Sequence, residues 1–285
     1  PEACVLTNVS LEHTEVLGDR IEDIAREKAG IVKAGVPVVT GFEGGALRVL
    51  EAACRERNAR LLRLGRDFGV ESVERAGEGL RVGVRTWKGR NGPVALPGSG
   101  LFQAENLALA VAALEAAQER GVLPGLDLDA SLARAAPRLA VPGRFEVFAG
   151  DPPIVLDGAH TPESVGAALA SLEGAFPGRR TAVVFGAQRD KDLRGMSSRL
   201  RGRADTVVLT ALATPRAASL PDLAAVAREE GLPFVAEDPR RALEVAAERA
   251  GRGGVVLALG SLHLVGALRP AVARDRGRQG GPQPW

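Results

Sequence analysis

Hydrophobic positions follow two alternating patterns along most of the chain. Short apolar runs, typical of buried strands, alternate with segments of 3.6-residue period, typical of helices. In the first part of the chain, strands are predicted at about 3–8, 36–40 and 61–64, and helices at about 20–31 and 45–58. This alternation predicts βαβ units and a parallel sheet.

The segment from residue 68 to residue 98 has a different pattern. Apolar and polar residues alternate with a period of two in GVESVERAGEGLRVGVRTW, and Gly77-Glu78-Gly79 interrupts the alternation, which predicts a β-hairpin. Helices are predicted at about 102–120 and 128–136. The two prolines and the glycine of PRLAVPG (137–143) then predict a linker.

The βαβ pattern resumes after this linker and stays regular. We predict strands at about 144–149, 153–157, 181–186, 205–210, 233–235 and 254–259. Helices are predicted between them at about 162–174, 192–200, 219–230 and 239–250, with a last one from about 261. The second half is therefore predicted to be a doubly wound α/β domain, followed from about residue 274 by a disordered tail, RDRGRQGGPQPW.

Composition excludes several classes of protein. The 285 residues exceed the roughly 150 expected of one domain, so two domains are expected. The formal net charge of +2 gives no case for nucleic-acid binding. No apolar run approaches the roughly 20 residues that span a bilayer, and PEACVLTNVS is not a signal peptide. We therefore expect no membrane contact. Cys4 and Cys54 lack metal-ligand spacing, so we expect two buried thiols in a protein of the reducing cytoplasm.

Polar residues with useful chemistry collect where the predicted strands end. Because the carboxyl ends of parallel strands share one edge of the sheet, where open α/β proteins bind ligands, we expect a functional site there. The residues concerned are Asp157 and His160 after one strand, Lys191 after the next, Ser261 and His263 after the last, and His13 after the first strand of the chain.

The segment IVLDGAHTP (154–162) has two interpretations. Thr161 before Pro162 is typical of a helix N-cap, so Asp157 and His160 can simply belong to an exposed loop. Alternatively, the small residues between them let a ligand phosphate approach the backbone and the N-terminus of the next helix.

The other candidates also have structural alternatives. Lys191 lies in a charged run that is either a solvated cluster or a loop that contacts a phosphate or a carboxylate. Ser261 fits a helix N-cap, and His263 in the following turn is interpreted as structural. For Lys28, the pattern alone favours an exposed lysine at a helix C-terminus.

The sequence lacks the two common glycine-rich nucleotide-binding motifs. The chain contains neither GxxxxGK[ST] nor GxGxxG. Taken by itself, it therefore has no complete nucleoside triphosphate site.

Seven segments, in order, resemble the folylpolyglutamate synthase/dihydrofolate synthase family of the Mur ligase superfamily. They are TNVSLEHTEVLGDRIEDIAREKAGIVKAGVPVVTG (7–41), FQAENLALAVAAL (102–114), VPGRFEV (141–147), VLDGAHTPES (155–164), VFGAQRDKDL (184–193), TPRAA (214–218) and GSLHLVGALR (260–269). The resemblance implies an α/β fold in which a truncated Mur-ligase-type ATPase domain (1–140) precedes a complete doubly wound, Rossmann-like C-terminal domain (141–273) and the tail (274–285).

The resemblance also implies a reaction. In this family ATP phosphorylates a carboxylate of a folate or dihydropteroate, and the amino group of L-glutamate then attacks the acyl phosphate. The implied cofactors are ATP and Mg²⁺, and the implied partners are folate or dihydropteroate and L-glutamate. We expect a monomer.

Carried over residue by residue, the resemblance assigns a site. It implies His13 as a magnesium ligand and Lys28 as a carbamylated, catalytic lysine that supports a second magnesium. It implies Asn106 as an adenine contact, Arg144 as a phosphate contact, and Asp157 as a catalytic residue and nucleotide contact near the ribose or hinge. His160 is implied as a catalytic residue beside the transferring phosphoryl group, Lys191 and Ser261 as parts of the glutamate site, and Thr161 as a further substrate-binding residue.

Two positions depart from the family pattern. Thr161 stands where the family has the asparagine of DGAHN, and Phe102 where it has a histidine before the glutamine. The family's P-loop precedes the segment matching TNVSLEH, so we expect this chain to be the C-terminal two-thirds of a ligase and inactive by itself. The alternatives are another amino-acid ligase of the superfamily, or a non-catalytic remnant without a P-loop.

Overall fold

The computed structural model describes residues 1–10, 18, 20–77, 79–98 and 100–276. The chain divides into two compact units. The first comprises Pro1–Pro97 and Leu101–Leu139, and the second comprises Gly98–Gly100 and the chain from Ala140 onward. Among the helices that these residues form, none has the length and apolar character needed to cross a membrane.

The first unit begins with a βαβαβ segment. Its elements are β1 (Cys4–Leu6), α1 (Ile21–Ala29), β2 (Val38–Thr40), α2 (Gly44–Glu56) and β3 (Leu61–Arg63). The strands pair in parallel in the order β1-β2-β3. This pairing confirms the predicted parallel arrangement, and apolar side chains of both helices bury with those of the strands in one core.

An antiparallel sheet and two helices complete the first unit. The strands are β4 (Gly69–Ala76), β5 (Gly79–Thr86) and β6 (Gly89–Pro97), and the helices are α3 (Phe102–Glu119) and α4 (Leu128–Ala135). Strands β4 and β5 pair antiparallel with Ala76 opposite Gly79, which confirms the predicted hairpin. The sequence did not predict β6, because Gly92-Pro93 breaks its alternation and the pairing with β5 shifts register between Val82 and Val84.

The second unit is built on a six-stranded sheet. Its elements are β7 (Glu146–Phe148), β8 (Ile154–Leu156), α5 (Pro162–Ala175), β9 (Thr181–Phe185), α6 (Leu193–Leu200), β10 (Thr206–Leu209), α7 (Leu220–Glu229), β11 (Phe234–Ala236), α8 (Pro239–Ala250), β12 (Val255–Leu259) and α9 (Leu262–Arg276). The order is β11-β10-β9-β12-β8-β7, parallel except for β7.

The burial of the central strands explains why the sequence predicts this sheet well. Every residue of β8, β9, β10 and β12 is buried, so these strands are continuous apolar runs, as in sheets covered on both faces. Side chains of Thr161, Asp192, Ser219 and Asp238 accept amide hydrogen bonds at the starts of α5 to α8, where the sequence predicts helices to begin.

The last helix extends three residues past the predicted start of the tail. Helix α9 continues through residues 274–276, which the pattern assigned to the tail. Arg-Asp-Arg at these positions is compatible with a helix, and the first glycine follows only at position 277. Residues 277–285 lie outside the described part of the chain.

Candidate functional site

Three predicted site segments follow three neighbouring strands of the second unit. Strand β12 lies between β8 and β9 and pairs in parallel with both. Asp157 and His160 follow β8, Ser261 follows β12, and Lys191 follows β9. Because neighbouring strands are about 4.8 Å apart, the ends of β8 and β9 are separated by only about 10 Å. The fold thus brings these four residues to one edge of the sheet, as the sequence predicts.

Asp157, in the loop after β8, uses its carboxylate to bind two backbone amides. Its Oδ2 accepts a hydrogen bond from the amide of Phe145 at 2.7 Å, and its Oδ1 accepts one from the amide of Ala159 at 2.8 Å. The residue is 3% exposed. Burial raises the pKa of this carboxyl group, against the opposing effects of the two amides and of the positive charge of Arg144. The carboxylate therefore connects the loop after β8 to the turn before β7.

Gly158 has a packing reason for being glycine. A Cβ atom there would lie 2.3 Å from Cδ2 of Leu262 and 3.4 Å from a terminal nitrogen of Arg144. The amide of Gly158 donates to the carbonyl of Gly143 at 2.8 Å. The space that the sequence-based interpretation left for a ligand phosphate is thus used by the protein's own Leu262 and Arg144.

His160 and Thr161 complete the transition from β8 to α5. Nδ1 of His160 lies 2.8 Å from the carbonyl oxygen of Gly158. Because a carbonyl only accepts, this contact assigns a proton to Nδ1. The hydroxyl of Thr161 accepts from the amide of Ser164 at 3.2 Å, and the Ser164 hydroxyl accepts from the Thr161 amide at 3.0 Å, which forms a capping box. Thr161 is 7% exposed, whereas His160 is half-buried.

The loop after β9 is fixed by contacts with the segment after β10. The amide of Arg189 donates to the carbonyl of Arg216 at 2.9 Å, and the Arg216 guanidinium pairs with Asp190 at 2.6 Å. Asp192 caps α6. Lys191, between these two acids, is half-buried. The charged run is therefore an ordered loop whose two aspartates hold it in place, with Lys191 between them at the edge of the sheet.

The segment after β12 combines a close backbone approach with a helix cap. Gly260 has a φ of +110°, and its amide donates to the carbonyl of Ala159 at 2.7 Å. The hydroxyl of Ser261 accepts from the amide of His263 at 3.1 Å, so Ser261 starts α9, as its N-cap interpretation predicts. Ser261 is 5% exposed. His263 is exposed on the first turn of that helix.

The turn before β7 carries Arg144, and its backbone is held by residues that the sequence patterns did not reveal. Arg144 is exposed, and its neighbour Phe145 is fully buried with a φ of +50°. Glu146 accepts from the amide of Gly143 at 3.0 Å and forms a two-nitrogen contact with Arg269 of α9 at 2.8–3.1 Å. Glu146 and Arg269 are 123 residues apart, so no local pattern reveals this pair.

The first unit carries the remaining predicted site residues. Lys28 is exposed in the last turn of α1, where a lysine also complements the helix dipole. Asn106 is exposed near the start of α3, and its Nδ2 donates to Gln103 Oε1 at 2.9 Å. His13 lies outside the described residues.

Two of the residues predicted to contact the nucleotide have exposed side chains, one in each unit. An exposed guanidinium, Arg144, suits a phosphate, and an exposed amide, Asn106, suits the edge of a base. In the part of the chain that the structure covers, no three His, Cys, Asp or Glu side chains are grouped as metal ligands. Lys28 as an ammonium group does not bind a cation. This geometry therefore assigns no ligand for Mg²⁺, and His13 and Lys28 stay predictions.

Comparison with known proteins gives a consistent result. Residues 143–262 match the family described as Mur ligase, glutamate ligase domain. The chain is 35% identical over 235 residues to folylpolyglutamate synthase of Lacticaseibacillus casei, covering 81% of this chain and 53% of that protein. It also resembles the structure of Mycobacterium tuberculosis folylpolyglutamate synthase complexed with ADP and AMPPCP, at a TM-score of 0.86 and 28% identity, covering 100% of this chain and 65% of the other.

A third match is the structure of E. coli FolC in complex with DHPP and ADP, at a TM-score of 0.80 and 25% identity, covering 96% of this chain and 62% of that chain. The chain spans 53% of the length of the Lacticaseibacillus casei protein and 62% of that of the dihydrofolate synthase/folylpolyglutamate synthase of Bacillus subtilis, to which it is 29% identical over 94% of its own length. The shared fold and the matched domain confirm the resemblance drawn from the seven segments. Residues 143–262 are thus a Mur ligase C-terminal domain, and the chain is a homologue of the folylpolyglutamate and dihydrofolate synthases.

Proposed function

We propose that the protein of which this chain is part is an ATP-dependent ligase that adds L-glutamate to a folate or to dihydropteroate. The observation that carries the proposal is the placement of His160, Ser261 and Lys191 after three adjacent parallel strands. The nucleotides and DHPP in the related structures support ATP and a pterin-containing acid as ligands of this chain. We also propose that the protein is cytoplasmic and monomeric. Light scattering measures its oligomeric state.

The proposed chemistry proceeds in two steps. A carboxylate oxygen of the folate attacks the γ-phosphorus of ATP, and ADP leaves, which produces an acyl phosphate. The glutamate amine then attacks the acyl carbon, the carbon–oxygen bond breaks as inorganic phosphate leaves, and the nitrogen gives up a proton to water as the amide forms. Mg²⁺, when bound, neutralises phosphate charge.

The residues of this chain have roles set by charge and exposure. Arg144 binds a phosphate of the nucleotide, and Asn106 binds the adenine edge. Lys191 pairs with a carboxylate of glutamate, and Ser261 retains its hydroxyl proton as a donor while it caps α9. The half-buried imidazole of His160 faces the developing charge of the transferred phosphoryl group.

The test uses the product of the complete gene. With ATP, Mg²⁺ and labelled L-glutamate, ADP release should require both glutamate and either tetrahydrofolate or dihydropteroate. Lys191→Ala should raise the KM for glutamate by about tenfold, the loss expected for one charged hydrogen bond. Lys33→Ala, at an exposed lysine of the first unit, is the matched control and should leave it unchanged.

The rival functions give different outcomes in the same assay. ADP release that needs an amino acid but no folate identifies another ligase of the superfamily. If neither ADP release nor calorimetric binding of ATP is observed, the protein is a non-catalytic relative. Either result overturns the proposed function.

A further inference from the structure

The turn of residues 143–146, which we call the Arg144 turn, holds an unfavourable backbone conformation. Gly143 has a φ of +68° and the fully buried Phe145 a φ of +50°. For a residue with a bulky side chain, this left-handed conformation is costly and persists only where the surroundings enforce it. The exposed Arg144 lies between these two residues, so whatever enforces the turn also places this arginine.

Three hydrogen bonds hold the backbone of the turn, two to the loop after β8 and one to Glu146 of the turn itself. The Phe145 amide donates to Asp157 at 2.7 Å, and the Gly143 amide donates to Glu146 at 3.0 Å. The carbonyl of Gly143 accepts from Gly158 at 2.8 Å. Two of these three contacts involve acidic side chains, which form stronger hydrogen bonds to amides than neutral acceptors do.

Arg269 fixes the second of these acids. Its Nε and one terminal nitrogen contact both carboxylate oxygens of Glu146 at 2.8–3.1 Å, and neither side chain is more than one-third exposed. The same helix packs against the turn, because a Cβ atom on Gly143 would lie 2.7 Å from Cγ1 of Val265. Helix α9 is thereby tied to the Arg144 turn by both an ion pair and packing.

We propose that Glu146 and Arg269, together with Asp157, are positioning residues that hold Arg144 in its ligand-binding orientation. The inference rests on the proposed function, in which Arg144 contacts a nucleotide phosphate. Asp157 then acts through the turn, because its two oxygens are bound to backbone amides and it is 3% exposed. Neither Glu146 nor Arg269 needs to touch a substrate for this role.

The experiment compares two ion pairs of the second unit in the product of the complete gene. Arg269→Ala and Glu146→Ala remove the proposed support. Arg203→Ala and Glu173→Ala remove a similar two-nitrogen arginine–glutamate contact elsewhere in the same unit and serve as controls. Arg269→Lys keeps the charge without the paired geometry, and Glu146→Gln keeps an acceptor for the Gly143 amide without the charge.

Two measurements decide the outcome. In the Arg269→Ala and Glu146→Ala proteins, amide hydrogen exchange at Gly143 and Phe145 should accelerate by about tenfold. The KM for ATP should rise by about the same factor while kcat changes less than about twofold, the signature of lost binding that is shared by ground and transition states. Arg269→Lys and Glu146→Gln should give intermediate values, and both controls should match the wild type.

The proposal is overturned if Arg269→Ala and Arg203→Ala change exchange and KM equally, or if kcat falls with KM unchanged. If the wild type releases no ADP, the proposed function fails instead. The exchange rates then decide separately whether Glu146 and Arg269 hold the turn, and unchanged exchange in Arg269→Ala overturns that claim as well.

Discussion

Replacing Gly260 by alanine should destabilise the second unit strongly. Gly260 follows the central strand β12 with a φ of +110°, a conformation that residues with a Cβ atom rarely adopt. An added Cβ would lie 2.6 Å from the carbonyl oxygen of Gly186 and 3.1 Å from Cδ2 of Phe185. Ordinary contacts begin at 3.4 Å, so the overlap with backbone is about 0.8 Å.

The cost of Gly260→Ala has two parts. Overpacking against a backbone atom that cannot rotate away costs about 1–3 kcal/mol. The forced φ adds about 1–3 kcal/mol. The sum, about 2–6 kcal/mol, is a large fraction of the 5–15 kcal/mol that typically stabilises a domain.

Denaturant-dependent hydrogen exchange, read on peptides from β9 and β12, measures this cost within the whole chain. The control is Gly166→Ala, inside α5, where an added Cβ meets nothing within 4 Å. This substitution should stabilise the unit by about 0.5–1 kcal/mol, because alanine is the better helix former. If Gly260→Ala and Gly166→Ala proteins are equally stable, the argument from close backbone approach is wrong.

Three further predictions follow, two from the burial of single side chains and one from the sizes of the sheets. Burial raises the pKa of Asp157 above its ordinary value of 3.8. At pH values just above 3.8, the folded protein therefore keeps a proton that the unfolded chain has lost. The unfolding free energy of the wild type relative to Asp157→Asn should therefore be highest below pH 3.8 and fall as the pH rises, and a difference that grows with pH contradicts this. Burial also raises the pKa of the Cys54 thiol to about 11, so iodoacetamide at neutral pH should label it only after denaturation, and rapid labelling of the native protein refutes the assignment. Limited proteolysis should cut residues 1–139 before 140–276, because the strands of the first unit are divided between two three-stranded sheets whereas the second unit has one six-stranded sheet, and earlier loss of 140–276 contradicts it.

Local sequence patterns predicted most of the second unit, because its strands and its helix starts each carry one clear sequence signal. Strands such as TAVVF and VVLAL are buried on both faces, so their apolar runs are unbroken. Helix starts carry Ser, Thr or Asp, whose side chains accept the first amide hydrogen bonds. Both signals lie within a few neighbouring residues, and so they can be read without the fold.

The Arg144 turn shows what such patterns omit. PRLAVPG predicts a linker, and nothing in it indicates that Phe145 adopts a φ of +50° or that Asp157 accepts its amide. The Glu146–Arg269 pair joins the start of β7 to the last helix across 123 residues. Contacts of this kind depend on the strand order, which places β7 and β8 at one side of the sheet, and the sequence alone does not specify that order.

Exposure separates the predicted site residues into two groups with different physical roles. Arg144, Lys191 and His160 are exposed or half-buried, so a ligand can reach them. Asp157, Thr161 and Ser261 are at most 7% exposed and bind backbone amides. A motif such as DGAHTP therefore contains both side chains that a ligand can reach and buried side chains that hold the loop. Sequence cannot separate the two, because a hydroxyl or carboxylate that caps a helix and one that binds a ligand occupy the same positions at a strand end. For Ser261 the roles are compatible, since capping uses an oxygen lone pair and leaves the hydroxyl proton, whereas Asp157 has an amide on each oxygen and serves the turn.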